Sequence, residues 1–165
     1  MKWLIGFVAT VACITAPVLA QDLNERDTKE IGSYRLSEAT LAKYSQATAK
    51  LGPIVKGVGC TDDDSGEASI AGIVTKLESL PGAKAAVTSA GLATREFVVF
   101  TLALVQYTVM AFAVEAGGHL PPGVDAGNVD FVRAHKAAIE ALKLGETTGC
   151  KEQDERDSRE EDANR

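Results

Sequence analysis

The sequence lacks the motifs that identify most enzymes and cofactor proteins. It has three cysteines and two histidines, and none forms the Cys-x-x-Cys pair of a redox enzyme or the Cys-x-x-Cys-His of covalent haem attachment. The Gly-x-Ser-x-Gly of many serine hydrolases is absent, and no Ser-His-Asp set can be argued. We therefore expect a non-enzymatic protein that carries no cofactor.

Positive charge is also scarce. The chain has 17 Lys and Arg against 23 Asp and Glu, a formal net charge of −6, and no basic face has aromatic side chains between its charges. An acidic surface repels phosphate backbones and anionic lipid headgroups. Nucleic-acid binding and attachment to anionic membranes are therefore disfavoured.

The first twenty residues have the pattern of a secretory signal peptide. Met1-Lys2 is a positive start, Trp3 to Ala16 is mostly apolar, and small residues occupy the positions that a signal peptidase reads, Val18 and Ala20. We expect cleavage after Ala20 and a mature protein in the periplasm or outside the cell.

The cysteines bear on the same question. After cleavage Cys60 and Cys150 remain, and an even pair in an oxidising compartment indicates a disulfide, although two free thiols are the alternative. A different cleavage, just before Cys13, would leave a lipid-anchored protein. The preceding Thr10-Val11-Ala12 lacks the leucine that such a site usually has, so removal of Cys13 with the signal peptide is favoured.

No segment has the alternating pattern of a strand, so an all-α fold is predicted. Residues 21–33 are polar and suggest a mobile N-terminal arm or a loose helix. Residues 34–150 have helical periodicity and form the predicted domain, a bundle of four to five helices around one apolar central helix. Residues 151–165 contain no large apolar side chain and are predicted to be a disordered charged tail.

Capping residues and glycines place five helices within this domain. Each is predicted to begin at a capping side chain or a Pro-Gly pair and to end at a turn signal. In chain order the predicted boundaries are Ser37 to Gly52-Pro53, Asp64 with Glu67 to Leu80, Pro81-Gly82 to Gly91, Thr94 to Gly117-Gly118, and Asp125 to Gly145.

The fourth of these helices is apolar on nearly all sides from Phe97 to Val114. Its length of about 27 Å is close to that of a bilayer core, so a membrane span must be considered. However, Thr101 and Thr108 recur at seven-residue spacing, and Gln106 and Tyr107 lie in its middle. A buried central helix is favoured, because amphipathic neighbours need an apolar surface on which to pack.

Three side chains are candidate ligand-binding residues. Gln106 and Tyr107 could be polar anchors of a small apolar pocket between helices, and His135 lies on the apolar face of the fifth helix. His135 has no second ligand at metal-binding spacing, so a hydrogen-bonded core histidine is the competing interpretation. The acidic stretch Thr61–Glu67 fails the spacing of a calcium loop in both registers, so no metal site is predicted.

Four segments together carry a resemblance to known proteins: Tyr34-Arg35-Leu36-Ser37, the run from Ala90 to Phe97, the run from Gly117 to Gly123, and Asn128-Val129-Asp130-Phe131. They resemble those of uncharacterised small exported all-helical bacterial proteins. The resemblance implies a helical exported domain over most of residues 34–143, and it implies no activity and no functional residue.

The sequence therefore predicts an exported, non-enzymatic helical binding or interaction protein. Its partner would be an unknown protein or a small apolar ligand. The alternative is a carrier of a small apolar ligand or haem that uses Gln106, Tyr107 and His135. An interaction protein should expose an apolar patch or helix edge and have no cavity, whereas a carrier should have a cavity beside Gln106.

Overall fold

The computed structural model describes residues 24–56 and 69–142, which contain seven helices and no strand. The helices are α1 (Glu25–Ser33), α2 (Glu38–Lys56), α3 (Ile70–Ser79), α4 (Ala83–Thr88), α5 (Thr94–Glu115), α6 (Ala126–Ala134) and α7 (Lys136–Glu140). The all-α prediction is confirmed, although the described ranges alone contain more than the four to five predicted helices.

Some predicted features lie outside these ranges and stay predictions. They are the signal peptide at residues 1–20, Cys13, the Cys60–Cys150 disulfide, the stretch Thr61–Glu67 and the tail at residues 151–165. The helix end predicted at Gly145 is wrong, because α7 ends at Glu140 and Ala141 is its C-cap.

Residues 24–33 are not a free arm, because they form a packed helix, α1. The Asn24 side chain caps it by accepting from the Asp27 N–H at 2.9 Å. The buried Asp27 carboxylate in turn accepts from the Ile70 N–H at 2.8 Å, which ties α1 to the start of α3. Ile31 is also buried. An apolar contact and a charge-assisted hydrogen bond therefore hold a segment that was predicted to be a mobile arm or a loose helix.

The predicted start of α2 is confirmed. The Ser37 hydroxyl accepts from the Thr40 N–H at 3.2 Å, and Leu36 and Leu41 on either side of the cap are both buried.

The predicted end of α2 at Gly52-Pro53 is wrong, since the helix continues through Pro53 to Lys56. Pro53 lies within the last turn or so and is exposed, so water can satisfy the carbonyl that loses its donor. Leu51 and Ile54 on either side pack on the core, and that packing keeps the turn helical.

The predicted start of the second helix at Asp64 is wrong, because α3 begins only at Ile70. Ser69 has extended backbone, and its hydroxyl caps α3 by accepting from the Gly72 N–H at 3.0 Å. Gly82 before α4 and Gly91 after it both have φ of +83°. A side chain at this φ is strained, so the left-handed turn predicted at Gly91 is confirmed.

Helix α5 occupies the centre of the described residues and contacts α1, α3, α4 and α6. Tyr44 of α2 also packs on it, with its ring centroid 4.8 Å from those of Phe97 and Phe100. The predicted cap at Thr94 is wrong: Ala93 is the capping residue, and Thr94 is a buried first helical residue. Burial of Leu92 and Thr94 fixes the start of the helix here, in place of a side-chain cap.

The predicted fifth helix is two helices. The Asp125 side chain caps α6 by accepting from the Gly127 N–H at 2.8 Å, as predicted. At His135 the backbone leaves helical geometry, with φ of −107° and ψ of 18°, and α7 begins at the next residue. The apolar spacing continues across this break, which is why the sequence did not reveal it.

Asn128 joins α6 to the segment between α1 and α2. Its buried amide donates to the Tyr34 carbonyl at 2.7 Å and accepts from the Leu36 N–H at 2.9 Å. One side chain therefore satisfies two backbone groups of a non-helical segment.

Replacing Asn128 with alanine should lower the free energy of unfolding by about 1–3 kcal/mol, because two backbone groups lose their partner. Asp130→Ala, at an exposed position of the same helix, should change it by no more than about 0.5 kcal/mol. Urea unfolding followed by circular dichroism measures both. Equal effects would contradict the structural role of the amide.

Tyr44 gives the fold a dependence on alkaline pH. Burial raises the pKa of its phenol above the ordinary value of 10.0. The native state therefore keeps the proton after the unfolded chain has lost it, and stability falls as pH rises through and above about 10. Tyr44→Phe should reduce the slope of stability against pH in this range. Some slope remains, since burial also raises the pKa of Tyr34; unchanged slopes would contradict the assignment.

Candidate interaction surface

The Tyr107 hydroxyl forms a hydrogen bond within the protein. The side chain is 1% exposed, and its hydroxyl donates to the Gly32 carbonyl at the end of α1 at 2.8 Å. This bond satisfies a buried polar tip and joins α1 to α5. Tyr107 therefore has a structural role in the described residues, as a buried contact between two helices.

His135 lies where α6 ends, against two neighbours. Its ring centroid is 4.3 Å from that of Phe131, and its Nε2 is 3.5 Å from a carboxylate oxygen of Glu38 on α2. The side chain is 26% exposed. The ring is thus half-buried at a contact between α6 and the start of α2.

The three predicted ligand residues do not converge. Gln106 is half-buried, and because it precedes Tyr107 on the same helix its side chain points about 100° away. Tyr107 faces α1, and His135 faces α2. Within residues 24–56 and 69–142 no group of three His, Cys, Asp or Glu side chains could hold a metal ion.

The second half of α5 carries an exposed apolar patch. We call Val105, Val109, Phe112 and Ala113 the α5 patch, since their spacing of four, seven and eight residues places them on one helical face. Val109 is 59% exposed and Phe112 is 72% exposed. Val105 is half-buried and Ala113 is exposed, and Gln106 lies at the margin of the patch.

Uneven burial of α5 accounts for this patch. Six of its eight buried residues precede Val105, and only Tyr107 and Ala111 are buried in the second half. The helix is long and apolar enough to cross a membrane, and only 44% of its most apolar window is buried. The sequence pattern showed an apolar helix, but it could not show which part the neighbouring helices leave open.

A groove of about 310 Å³ runs beside the patch, between α5 and the α6–α7 pair. Its apolar walls are Ala111, Phe112, Val132 and Ile139. We call it the α5–α7 groove. Phe112 belongs to both the patch and the groove, so the two form one continuous surface. None of Gln106, Tyr107 and His135 lines it.

The rim of the groove is charged with both signs. Glu115 lies 3.9 Å from the Arg133 guanidinium and 3.6 Å from the Lys136 ammonium, and Glu140 lines the groove as well. The side chains of Glu115, Arg133 and Lys136 are 39%, 50% and 59% exposed. Two acids and two bases therefore border the apolar walls.

No protein family, curated protein or solved structure matches this chain. The resemblance to small exported helical proteins therefore stays a prediction, and function has to be argued from the surface itself.

Two of the three phenylalanines of α5, Phe100 and Phe112, should differ sharply in their effect on folding. Phe100 is fully buried, so Phe100→Ala should cost about 3–5 kcal/mol of unfolding free energy. Phe112→Ala removes an exposed ring and should cost no more than about 0.5 kcal/mol. Chemical denaturation of both variants checks this. A large loss for Phe112→Ala would mean that the ring is covered within the monomer.

Proposed function

We propose that this chain is an exported, non-enzymatic helical protein that binds another protein through the α5 patch. The exposure of Val109 and Phe112 on one helical face is the observation that carries this proposal. Export to the periplasm or the exterior rests on the signal-peptide pattern of residues 1–20. The lack of catalytic sequence motifs supports a binding role.

Isolated apolar side chains on a surface are ordinary, but a contiguous apolar patch is typical of an interaction site. Val109 and Phe112 are one helical turn apart, and Val105 and Ala113 extend the same face. Burying a Phe or Val side chain contributes about 1.5–3 kcal/mol. A partner that covers both large side chains would therefore gain a useful part of its binding free energy here.

A carrier of a small apolar ligand is the second candidate, and the α5–α7 groove favours it. Its volume of about 310 Å³ is at the lower end for small-molecule sites. Such a ligand would lie on Val132, Ile139 and Phe112, and none of the three residues that the sequence suggested lines the groove. Haem binding would still have to use His135, whose ring packs on Phe131.

Site-specific photo-crosslinking in the exporting cell tests protein binding. A benzophenone amino acid at Val109 should give covalent adducts, because the patch meets a partner there. The matched control is the same amino acid at Ser45, an exposed position of α2, which should give none. Mass spectrometry of the adducts identifies the partner and shows whether the mature chain begins at Gln21.

Absence of adducts from both Val109 and Phe112, with mature protein present outside the cytoplasm, would overturn protein binding through the patch. A chain that keeps residues 1–20 and stays in the cytoplasm would overturn export.

A further inference from the structure

We infer that the α5 patch and the α5–α7 groove together pair with the same surface on a second copy of this chain, related by a two-fold axis. This inference rests on the proposed function, because it names the partner that the patch binds. Three features support a second copy as the partner: the mixed charge of the groove rim, the weakness of its internal ion pairs and the position of Phe112.

Among the residues that the structure describes, the rim is locally neutral, with Glu115 and Glu140 balancing Arg133 and Lys136. A partner with charge of one sign would be attracted by two of these four groups and repelled by the other two. A two-fold axis instead makes each contact occur twice with the roles exchanged, so an acid of one copy can face a base of the other. The chain as a whole carries −6, and a neutral surface is where two copies repel each other least.

The charged groups are available to a partner. The distances from Glu115 to Arg133 and Lys136 are 3.9 and 3.6 Å, long for ion pairs, and all three side chains are at least 39% exposed. Exposed pairs of this kind contribute little to folding. Exchanging them for pairs between copies therefore costs the monomer little.

Phe112 supplies the apolar contact. It projects beside the groove, whose walls include Ala111, Val132 and Ile139, and it is 72% exposed. A symmetric pair can place the Phe112 ring of each copy against the groove walls of the other. Val109 and Ala113 then meet their counterparts across the axis.

The size of the surface predicts a weak dimer. From Val105 to Glu115 α5 is about 15 Å long, and together with α7 the surface is about 20 Å wide, which gives ~300 Å² per copy. Stable interfaces bury about 800 Å² per partner. The dimer should therefore be weak, with a dissociation constant between about 10 μM and 1 mM, and be in exchange with the monomer.

Sedimentation equilibrium of the mature full-length chain, from about 10 μM to 1 mM, tests this inference. The chain should pass from monomer to dimer, and Phe112→Asp should raise the dissociation constant at least tenfold. Ser45→Asp, on the exposed face of α2, is the matched control and should leave it unchanged. Circular dichroism and urea unfolding confirm that each variant is folded.

Charge reversal tests the symmetry. Glu115→Lys alone, and Arg133→Glu with Lys136→Glu, should each weaken self-association, since like charges then face each other. Mixing the two variants should restore pairing as a heterodimer, because each reversed charge meets its complement. Native mass spectrometry distinguishes the mixed pair by mass.

A monomer at 1 mM, or a dimer that all these variants leave unchanged, would overturn the inference. A small bound molecule whose loss follows Phe112→Asp would also overturn it, by assigning the groove to a ligand. If the chain is a monomer and Val109 crosslinks to a different protein, the inference of a dimer is overturned and the proposed function stands. A monomer without any crosslink would overturn both.

Discussion

The fold depends on burying one apolar helix with helices that are mostly too short to be stable alone. Of the helices around α5, α1, α3, α4, α6 and α7 have between five and ten residues. Isolated helices of this length are marginal in water. They persist because α1, α3, α4 and α6 each cover part of α5, where Phe100, Ala103 and Leu104 are completely buried, and α7 packs on α6. The burial of α5 and the helicity of its neighbours are therefore one cooperative event.

An apolar helix attracts its neighbours but does not fix their positions, since hydrophobic contact has no direction. Directional bonds provide that information here. Asp27 accepts from the Ile70 N–H, Asn128 bonds the segment before α2, and Tyr107 donates to the end of α1. Each joins parts of the chain at least 43 residues apart. Buried polar bonds of this kind are costly to break and select one packing among several.

Local signals in the sequence predicted the local features of the fold. Ser37 and Asp125 cap helices, and Gly91 is left-handed, because these residue types act on their own backbone. The errors arose where packing overrides local preference. Packing of Leu51 and Ile54 carries α2 past Pro53, and the break at His135 coincides with its contact to Glu38, a residue of another helix. Because α5 is apolar on nearly all sides, its sequence likewise did not indicate which half would be exposed to solvent.

The sequence did not predict where the candidate surface lies. An interaction protein was expected to expose an apolar helix edge, and the described structure has one on α5. Gln106, Tyr107 and His135 were chosen because polar groups on apolar faces are conspicuous in a sequence. In the structure the Tyr107 bond and the His135 contacts are internal, and Gln106 only borders the patch.

Within residues 24–56 and 69–142, folding gives no reason for the exposed apolar residues of α5. Val98 and Leu104 are apolar because they are buried, and a polar side chain at either position would destabilise the fold. Val109 and Phe112 face solvent, where polar residues would keep the helix and improve solubility. Because the described fold does not require these two side chains, the association proposed above would account for them. In such a complex the charges on Glu115, Arg133 and Lys136 would act on specificity, since they favour a partner with the complementary arrangement over one with a single sign of charge.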